Sequence, residues 1–550
     1  MANKASCLRK KTIDLLKKLK VKYKLFFAVQ LLSLLAVSAV SIFLPYAEGR
    51  IINSMVDGSF VNSVLKWAAV IIGLFLVRMV LSYILSYFEY YLLPYKSASA
   101  QINFIQALLG KKLTSLADFE GSYLHNRVQQ DIECILDFIL LKIPQMINMA
   151  FSLLVLIFTI FYIQPQVSLL IFLIVIIYVV LYKFFKNSLY NIFYILSEAH
   201  NKFYNDCNSV YERLAEIKAK ENRSFEQNHL ICSQNHLFSL VFRNFKLKYL
   251  VSGGQIVLNF FAQIFILIVG GIYVSAGKLT IGLLTTIMQY LSLLWQNIEG
   301  IFALAVSYQA YLAAKMRMLE LYELADDVVG CENCTNIDDL ELKDFNIKSL
   351  GTNKLLFSKN LNLHFKRGHI YELRGKNGIG KSTLFMYLLG LYTEPDSGEI
   401  IYNRTRAEEI NFNLLRAKKI AVLLQNEAVY DISVGTYAQI YLSEAADTSQ
   451  NVLCEIGRLF TKLNNTPWTE VVDKSLLELS GGERQLLRII VTLLKPEAEM
   501  ILLDEPYNNL AVNVMTQLND LLLEKKQNKI IAVISHAAEL IPGAEEIVLE

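Results

Sequence analysis

The chain has 550 residues, and Lys+Arg 53 against Asp+Glu 50 leaves a formal net charge of +3, so no chain-wide field draws nucleic acid or an acidic partner. Hydrophobic residues reach 54%, charged residues only 19% and mean hydropathy +0.37, which places part of the chain in lipid and excludes a single small module. Gly 25 and Pro 9 exclude a collagen-like or Pro-rich disordered chain, and Cys 7, scattered, is not a disulfide framework.

The first 24 residues carry Lys4, Arg9, Lys10, Lys11, Lys17, Lys18, Lys20, Lys22 and Lys24 against the single acid Asp14. The apolar run from Leu25 to Leu44 follows at once. It exceeds the roughly 7–15 apolar residues of a signal peptide, which predicts a retained span with its basic flank in the cytoplasm. Five further runs have span length: 64–93, 146–163, 167–185, 251–274 and 281–305. The third and fourth are joined by uncharged Gln164-Pro165-Gln166, and the fifth and sixth by a turn with the lone Lys278. Lys96, Lys111, Lys112, Arg127, Arg213, Lys218, Lys220 and Arg223 lie in the long segments after the second and fourth spans. This asymmetry predicts a multi-pass protein of a bacterial plasma membrane with both termini cytoplasmic.

Residues 1–322 are thus read as a six-span helical membrane domain and the acidic, polar stretch 323–339 as a linker. The CENC pair Cys331 and Cys334 has metal or redox spacing, but no second pair completes a zinc site, so it reads as two thiols in a polar linker. In 340–550, short β-rich runs such as 369–373, 420–424, 500–503 and 530–534 alternate with helical stretches, the pattern of an α/β domain with a mostly parallel sheet.

The run Gly375-Lys376-Asn377-Gly378-Ile379-Gly380-Lys381-Ser382-Thr383 follows one of these strands and opens a helix. It is a P-loop of a P-loop NTPase domain. Its N–H groups face phosphates, Lys381 reaches the β and γ phosphates of ATP, and the Ser382 hydroxyl ligates Mg²⁺. Met500-Ile501-Leu502-Leu503-Asp504-Glu505 is an apolar strand ending in two acids. Asp504 is expected to hold Mg²⁺ through water and Glu505 to orient or deprotonate the attacking water. Leu479-Ser480-Gly481-Gly482-Glu483-Arg484-Gln485 opens another helix and forms a second anion nest.

With LSGGERQ, GKNGIGKST and ILLDEP together, the chain resembles the ABC transporter family, of the exporter type in which six spans precede the nucleotide-binding domain. The resemblance implies that ATP is sandwiched between two chains, Ser480, Gly481, Gly482 and Glu483 of one facing the P-loop of the other. It further implies that Gln425 contacts Mg²⁺ or water and senses the membrane domain, and that His536 contacts the γ-phosphate. The segments 119–127 with Asp131, and 211–218, resemble the first and second intracellular coupling helices. Two positions depart from the family. Asn508-Asn509-Leu510-Ala511 stands where a Leu-Asp pair is usual, and no Tyr in 346–352 offers an adenine platform, which points to Phe345 or Phe357.

Polar residues recur at helical spacing within three spans: Arg78, Ser82, Ser86 and Glu89; Ser252, Gln255, Asn259 and Gln263; Gln289, Ser292, Gln296 and Glu299. They read either as a wet cavity open to the cytoplasm or as helix-to-helix hydrogen bonds, with Glu89 and Glu299 as candidate partners for Arg78. The expected function is ATP-driven export by a dimeric half-transporter, homodimeric or heterodimeric, of a peptide such as a bacteriocin or of an amphiphilic drug or lipid. A peptide cargo is expected to lose any leader elsewhere. Uptake by an exporter-like fold and a regulatory ATP-binding membrane subunit are the alternatives.

Overall fold

The computed structural model describes residues 24–57, 60–116, 119, 121–327, 330–348, 355–441, 446–536 and 541–550. The basic segment before Lys24 lies outside them, as does most of 346–352. The chain forms two compact units, one of residues 1–109 and 120–323, the other of 110–119 and 324–550. The second unit thus takes in a short stretch that the sequence alone assigns to the membrane domain.

In the first unit each of the six apolar runs lies in its own helical column. These are α1 (Lys24–Val56); α2 (Phe60–Tyr87) continuing into α3 (Leu93–Leu108); α5 (Gly121–Asp137) continuing into α6 (Ile143–Ile163); α7 (Pro165–Glu212); α9 (Arg223–Ser275); and α10 (Ile281–Tyr322). Among the described residues four helices are long and apolar enough to cross a membrane: Lys24–Val56, Asn62–Leu108, Val128–Ile163 and Arg223–Ser275. The remaining two runs fall within α7 and α10.

Two columns contain a π-helical turn, Phe88–Leu92 and Phe138–Lys142. Each is followed by a proline, Pro94 or Pro144, in the first turn of the next helix. Proline lacks an N–H and crowds the carbonyl four residues back. The bonds from Leu93 N to Phe88 O and from Ile143 N to Phe138 O, one residue longer than in an α-helix, absorb that crowding. Phe88 packs edge-on against Phe26 at 4.7 Å, and Phe138 stacks on Tyr311 at 4.6 Å, so each turn is anchored to a neighbouring column.

Helices α1 and α10 cross backbone to backbone. A Cβ on Gly282 would overlap the Gly49 carbonyl oxygen and stand 2.7 Å from its carbon, so only glycine fits there. Polar bonds lock the crossing. Asn53 accepts from Gly282 N at 2.8 Å, Thr286 donates to Pro45 O at 3.0 Å, and Tyr290 donates to Ile42 O at 2.9 Å.

Two of the three polar stripes contribute hydrogen bonds between helices, and Asn297 beside them makes another. Gln255 donates to Glu299, Gln289 donates to Glu48 at 2.8 Å, and Asn297 donates to Ser152 at 3.1 Å. Arg78 is exposed, and among the described residues it pairs with neither Glu89 nor Glu299, so the expected ion pair is not formed. Asp131, placed with a coupling segment in the sequence, is buried on α5 and accepts from Arg317 of α10. The 211–218 segment spans the end of α7, a break at Arg213 and the short helix α8 (Leu214–Lys220), which stops at left-handed Glu221 (φ 53). Near the other coupling segment the structure has the one-turn helix α4 (Leu113–Leu116), which belongs to the second unit. There Lys112 N donates to Ala325 O at 3.0 Å and Lys112 Nζ pairs with Glu394 at 2.6 Å.

The second unit holds two sheets. The antiparallel one runs β2-β1-β4-β5, with β1 (Asp339–Asn346), β2 (Leu361–Lys366), β4 (Ser397–Tyr402) and β5 (Thr405–Arg406). The parallel one runs β6-β7-β8-β3-β9, with β3 (Ile370–Arg374), β6 (Ile420–Leu423), β7 (Met500–Asp504), β8 (Ile530–Ile534) and β9 (Glu545–Val548). β7 and β8 are buried at every residue, as continuous apolar runs in a sheet covered on both faces require. Among its described residues two apolar clusters fill the unit. Residues expected in the linker join it: Ile337 is fully buried, and Glu332 exchanges bonds with Glu409 O and Asn411 N.

Candidate functional site: a phosphate-binding cleft at the strand ends

Strand order decides what meets. β8 lies between β3 and β7 with Leu373 and Asp504 both opposite Ile534, so the loops leaving the three strands converge at one end. Ligands bind at such carboxyl ends in open α/β sheets. A cleft of about 450 Å³ there is lined by Asn377, Gly378, Gly380, Lys381, Ser382, Thr383, Gln425, Glu505 and His536, together with Lys348 and Leu356.

After β3 the chain curls through Gly375-Lys376-Asn377-Gly378-Ile379-Gly380 into α11 (Lys381–Leu388). Gly380 has φ +104, and a Cβ there would also stand 3.0 Å from Leu356 Cδ1, so glycine is required. The buried Lys381 side chain bends back over its own loop, donating to Gly375 O at 2.7 Å and Lys376 O at 3.2 Å. Burial pushes this ammonium below its ordinary range, against the opposing charges of Glu505 and Asp504.

Asp504 ends β7 and is buried, and its Oδ1 has no hydrogen-bond partner among the described residues. Burial pushes its carboxyl above the usual range, while the neighbouring Ser382 hydroxyl pulls it down. A bare buried carboxylate oxygen beside a hydroxyl fits a hard divalent cation such as Mg²⁺. Glu505 follows in the left-handed region (φ 50), a strained backbone for a residue with a side chain. The bond from Glu505 N to Ile534 O at 2.9 Å holds it. Its carboxylate lies 3.6 Å from His536 Nε2 and accepts from Asn508 Nδ2 at 2.6 Å. Gln425 reaches the cleft from the loop after β6, whose path is fixed by the bond from Leu424 N to Glu427 at 3.1 Å.

Ser480, Gly481, Gly482 and Glu483 do not line this cleft; they open α16 (Gly481–Leu493), three helices after α13 (Val434–Tyr441). Between these two lie α14 (Ala446–Asn464) and α15 (Trp468–Val471), and α12 (Phe412–Lys418) precedes β6. Ser480 caps α16 in a reciprocal box: its hydroxyl accepts from Glu483 N at 3.3 Å, while Glu483 Oε2 accepts from Ser480 N at 2.9 Å. Asn464 donates to the other Glu483 oxygen at 3.1 Å, so this carboxylate is committed within its own chain. Ser480 and Gly481 remain exposed.

Phe345 and Phe357 are 0% and 1% exposed in the core and neither lines the cleft, which corrects their assignment as adenine platforms. Leu356, half-buried beside the P-loop, and Lys348 hold that edge instead. Neither carries a motif; the β1–β2 connection brings them in.

Comparison with known proteins agrees with this geometry. The profile of the ABC transporter transmembrane region matches residues 27–298, and that described as ABC transporter matches residues 358–508. The nisin transport ATP-binding protein NisT of Lactococcus lactis subsp. lactis is 29% identical over 296 residues, covering 50% of this chain and 47% of its own length. The chain therefore spans about half the length of that relative. An ATP-dependent lipid A-core flippase of Desulfotalea psychrophila is 22% identical over 447 residues, 78% of this chain and 76% of the flippase. The solved structure of a bacterial Atm1-family ABC exporter with ATP bound shares the fold, with TM-score 0.80 at 16% identity over 96% of this chain and 94% of that one. A helical membrane region and a nucleotide-binding domain with these motifs are thus joined in one multi-pass chain, which belongs to the ABC transporter family.

Proposed function

We propose that the chain is an ATP-hydrolysing half-transporter that works with a second half, its own copy or an unlike chain, to export a substrate from the cytoplasm. The observation that carries this is the split between the two nests. The P-loop, Gln425, Glu505 and His536 share one cleft, whereas Ser480 to Glu483 open a helix off it with Ser480 and Gly481 exposed.

In this reading Lys381 leaves Gly375 O and Lys376 O for the β and γ phosphates of ATP, exchanging two carbonyls for anionic oxygens. Ser382, Asp504 and Gln425 would hold Mg²⁺, which when bound spreads the developing negative charge of phosphoryl transfer. Glu505 orients the attacking water and takes up its proton, held in line by Asn508 and backed by His536. The partner's Ser480 hydroxyl and Gly481–Gly482 N–H groups close the far side of the γ-phosphate. Leu356 covers the base by apolar contact in place of a ring.

The basic loops on one side favour cytoplasmic termini in a bacterial plasma membrane. The relatives named for nisin transport and for lipid A-core flipping support an amphiphilic cargo, peptide or lipid. The test is ATP-driven movement of fluorescent amphiphiles and peptides in inverted vesicles, with Lys381→Ala as control. Accumulation inside supports export. ATP-driven loss from preloaded vesicles supports uptake instead, and bound ATP without movement or turnover supports a regulatory subunit.

A further inference from the structure

A second cavity, of about 430 Å³, lies between α7 and α9 in the first unit. Its floor is apolar, with Ile192 buried and Leu247 and Leu250 beside it. Its rim carries Arg243 and Lys246, one turn apart on α9 and both exposed, facing Ser188 and Asn191 of α7. Among the described residues neither cation meets a carboxylate, and the Lys246 ammonium sits 4.5 Å over the Phe242 ring.

The height of this cavity is informative. α7 starts at Pro165 and α9 ends at Ser275, both at short connections. At 1.5 Å per residue, Asn191 lies about 39 Å and Lys246 about 43 Å from those ends, with Leu250 about 38 Å and Arg243 about 48 Å. A bilayer is about 40–45 Å thick with its headgroups. The cavity therefore straddles the headgroup zone on the side of the long basic loops, with Leu250 at the membrane end of its α9 wall and Arg243 at the outer end. Phe242, Phe245 and Tyr249 stack along the same helix at 6.3 and 5.9 Å, 56%, 56% and 68% exposed, as interfacial aromatics do.

We propose that this cavity binds one anionic phospholipid of that leaflet, its phosphate between Arg243 and Lys246 with a hydrogen bond from Asn191, and its acyl chains leaving past Leu250 towards the hydrocarbon. Two cations that meet no carboxylate, set on the outer side of Leu250, match a phosphate above acyl chains. Binding needs no turnover at the ATP cleft, so it stands or falls apart from the transport reading.

The purified full chain in detergent is titrated with dioleoylphosphatidylglycerol, dioleoylphosphatidylcholine or glycerol-1-phosphate, and adducts are counted by native mass spectrometry. The phosphatidylglycerol adduct is expected to dominate. Each basic side chain at an anionic surface is worth about 1 kcal/mol, or about fivefold. Arg243→Ala/Lys246→Ala should therefore weaken phosphatidylglycerol binding about 30-fold, Lys246→Gln alone about fivefold, and Arg243→Lys/Lys246→Arg only slightly. Equal binding of the two lipids, or an unchanged Ala pair, overturns the proposal. Glycerol-1-phosphate binding as tightly as the lipid would make this a free-phosphate site. A change of oligomeric mass in the Ala pair and in Lys246→Gln would make it a contact between copies.

Discussion

The glycine crossing of α1 and α10 gives a sharp prediction. A Cβ on Gly282 stands 2.7 Å from Asn53 Oδ1 as well as from the Gly49 carbonyl carbon, so Gly282→Ala must part the helices by about 1 Å or more to restore ordinary contact. Parting them strains the bonds from Asn53 to Thr280, Gly282 N to Asn53, Thr286 to Pro45 O and Tyr290 to Ile42 O. Interhelical hydrogen bonds in membrane proteins average about 0.6 kcal/mol, so losing all four costs about 2.4 kcal/mol. Overpacking adds about 1–3 kcal/mol. The expected loss is therefore about 3–5 kcal/mol. Gly271→Ala on α9 is the control: nothing lies within 4 Å of its Cβ, and an alanine in mid-helix gains about 0.5–1 kcal/mol over glycine. Unfolding of the full chain in mixed micelles by sodium dodecyl sulfate, followed by circular dichroism, compares the two. Similar midpoints for Gly282→Ala and Gly271→Ala would refute the close crossing.

Four further predictions concern the second unit. Leu356→Tyr supplies the missing ring at the cleft edge; with aromatic stacking worth about 1 kcal/mol, ATP binding should tighten about fivefold in equilibrium titration, and unchanged or weaker binding counts against Leu356 as the adenine contact. Ser480→Ala removes the α16 cap and should cost about 1 kcal/mol in denaturant unfolding. Because the Ser480 hydroxyl and N–H hold the Glu483 carboxyl below its ordinary value, its contribution is present above about pH 4.5 and lost as pH falls, so Glu483→Gln should flatten the acid limb of stability. Burial lowers Lys495 from 10.5 to about 8, and its ammonium donates to Arg416 O and Ile420 O at 2.6 and 2.7 Å. Between these values the unfolded chain binds more protons than the folded one, so this group makes stability rise with pH there, and Lys495→Met should remove that slope; an identical slope would contradict the assignment.

The sequence made the P-loop, the Asp504–Glu505 pair and the LSGGE helix legible because their chemistry is local: a few consecutive residues set both the backbone path and the donors. The six columns were legible for the same reason, each being marked by one long, predominantly apolar run. What depends on distant chain was not. Leu356 and Lys348 reach the cleft only because β1 and β2 pair, and Phe345 and Phe357 turn into the core for the same reason. The bond from Asn508 to Glu505 lies in the stretch 508–511 that departs from the family's Leu-Asp pair at Ala511, and motif comparison registers only the departure. Residues 110–119 read as part of the membrane half, yet they pack in the unit of the cassette through Lys112 and Ala325. The stripe containing Arg78 shows the limit of spacing arguments: helical periodicity puts residues on one face but says nothing of which face meets which neighbour.

The central claim is that Glu505 activates water for hydrolysis in a cleft completed by a second chain. The most direct test is ATP turnover by the purified chain in lipid nanodiscs, alongside Glu505→Gln and Ser480→Arg. Where the second half is its own copy, the account predicts turnover in the wild type, its loss in Glu505→Gln with ATP still bound, and its loss in Ser480→Arg although that residue lies off its own chain's cleft. Turnover surviving in Glu505→Gln would contradict the assignment of the base, and full turnover in Ser480→Arg would contradict the shared site.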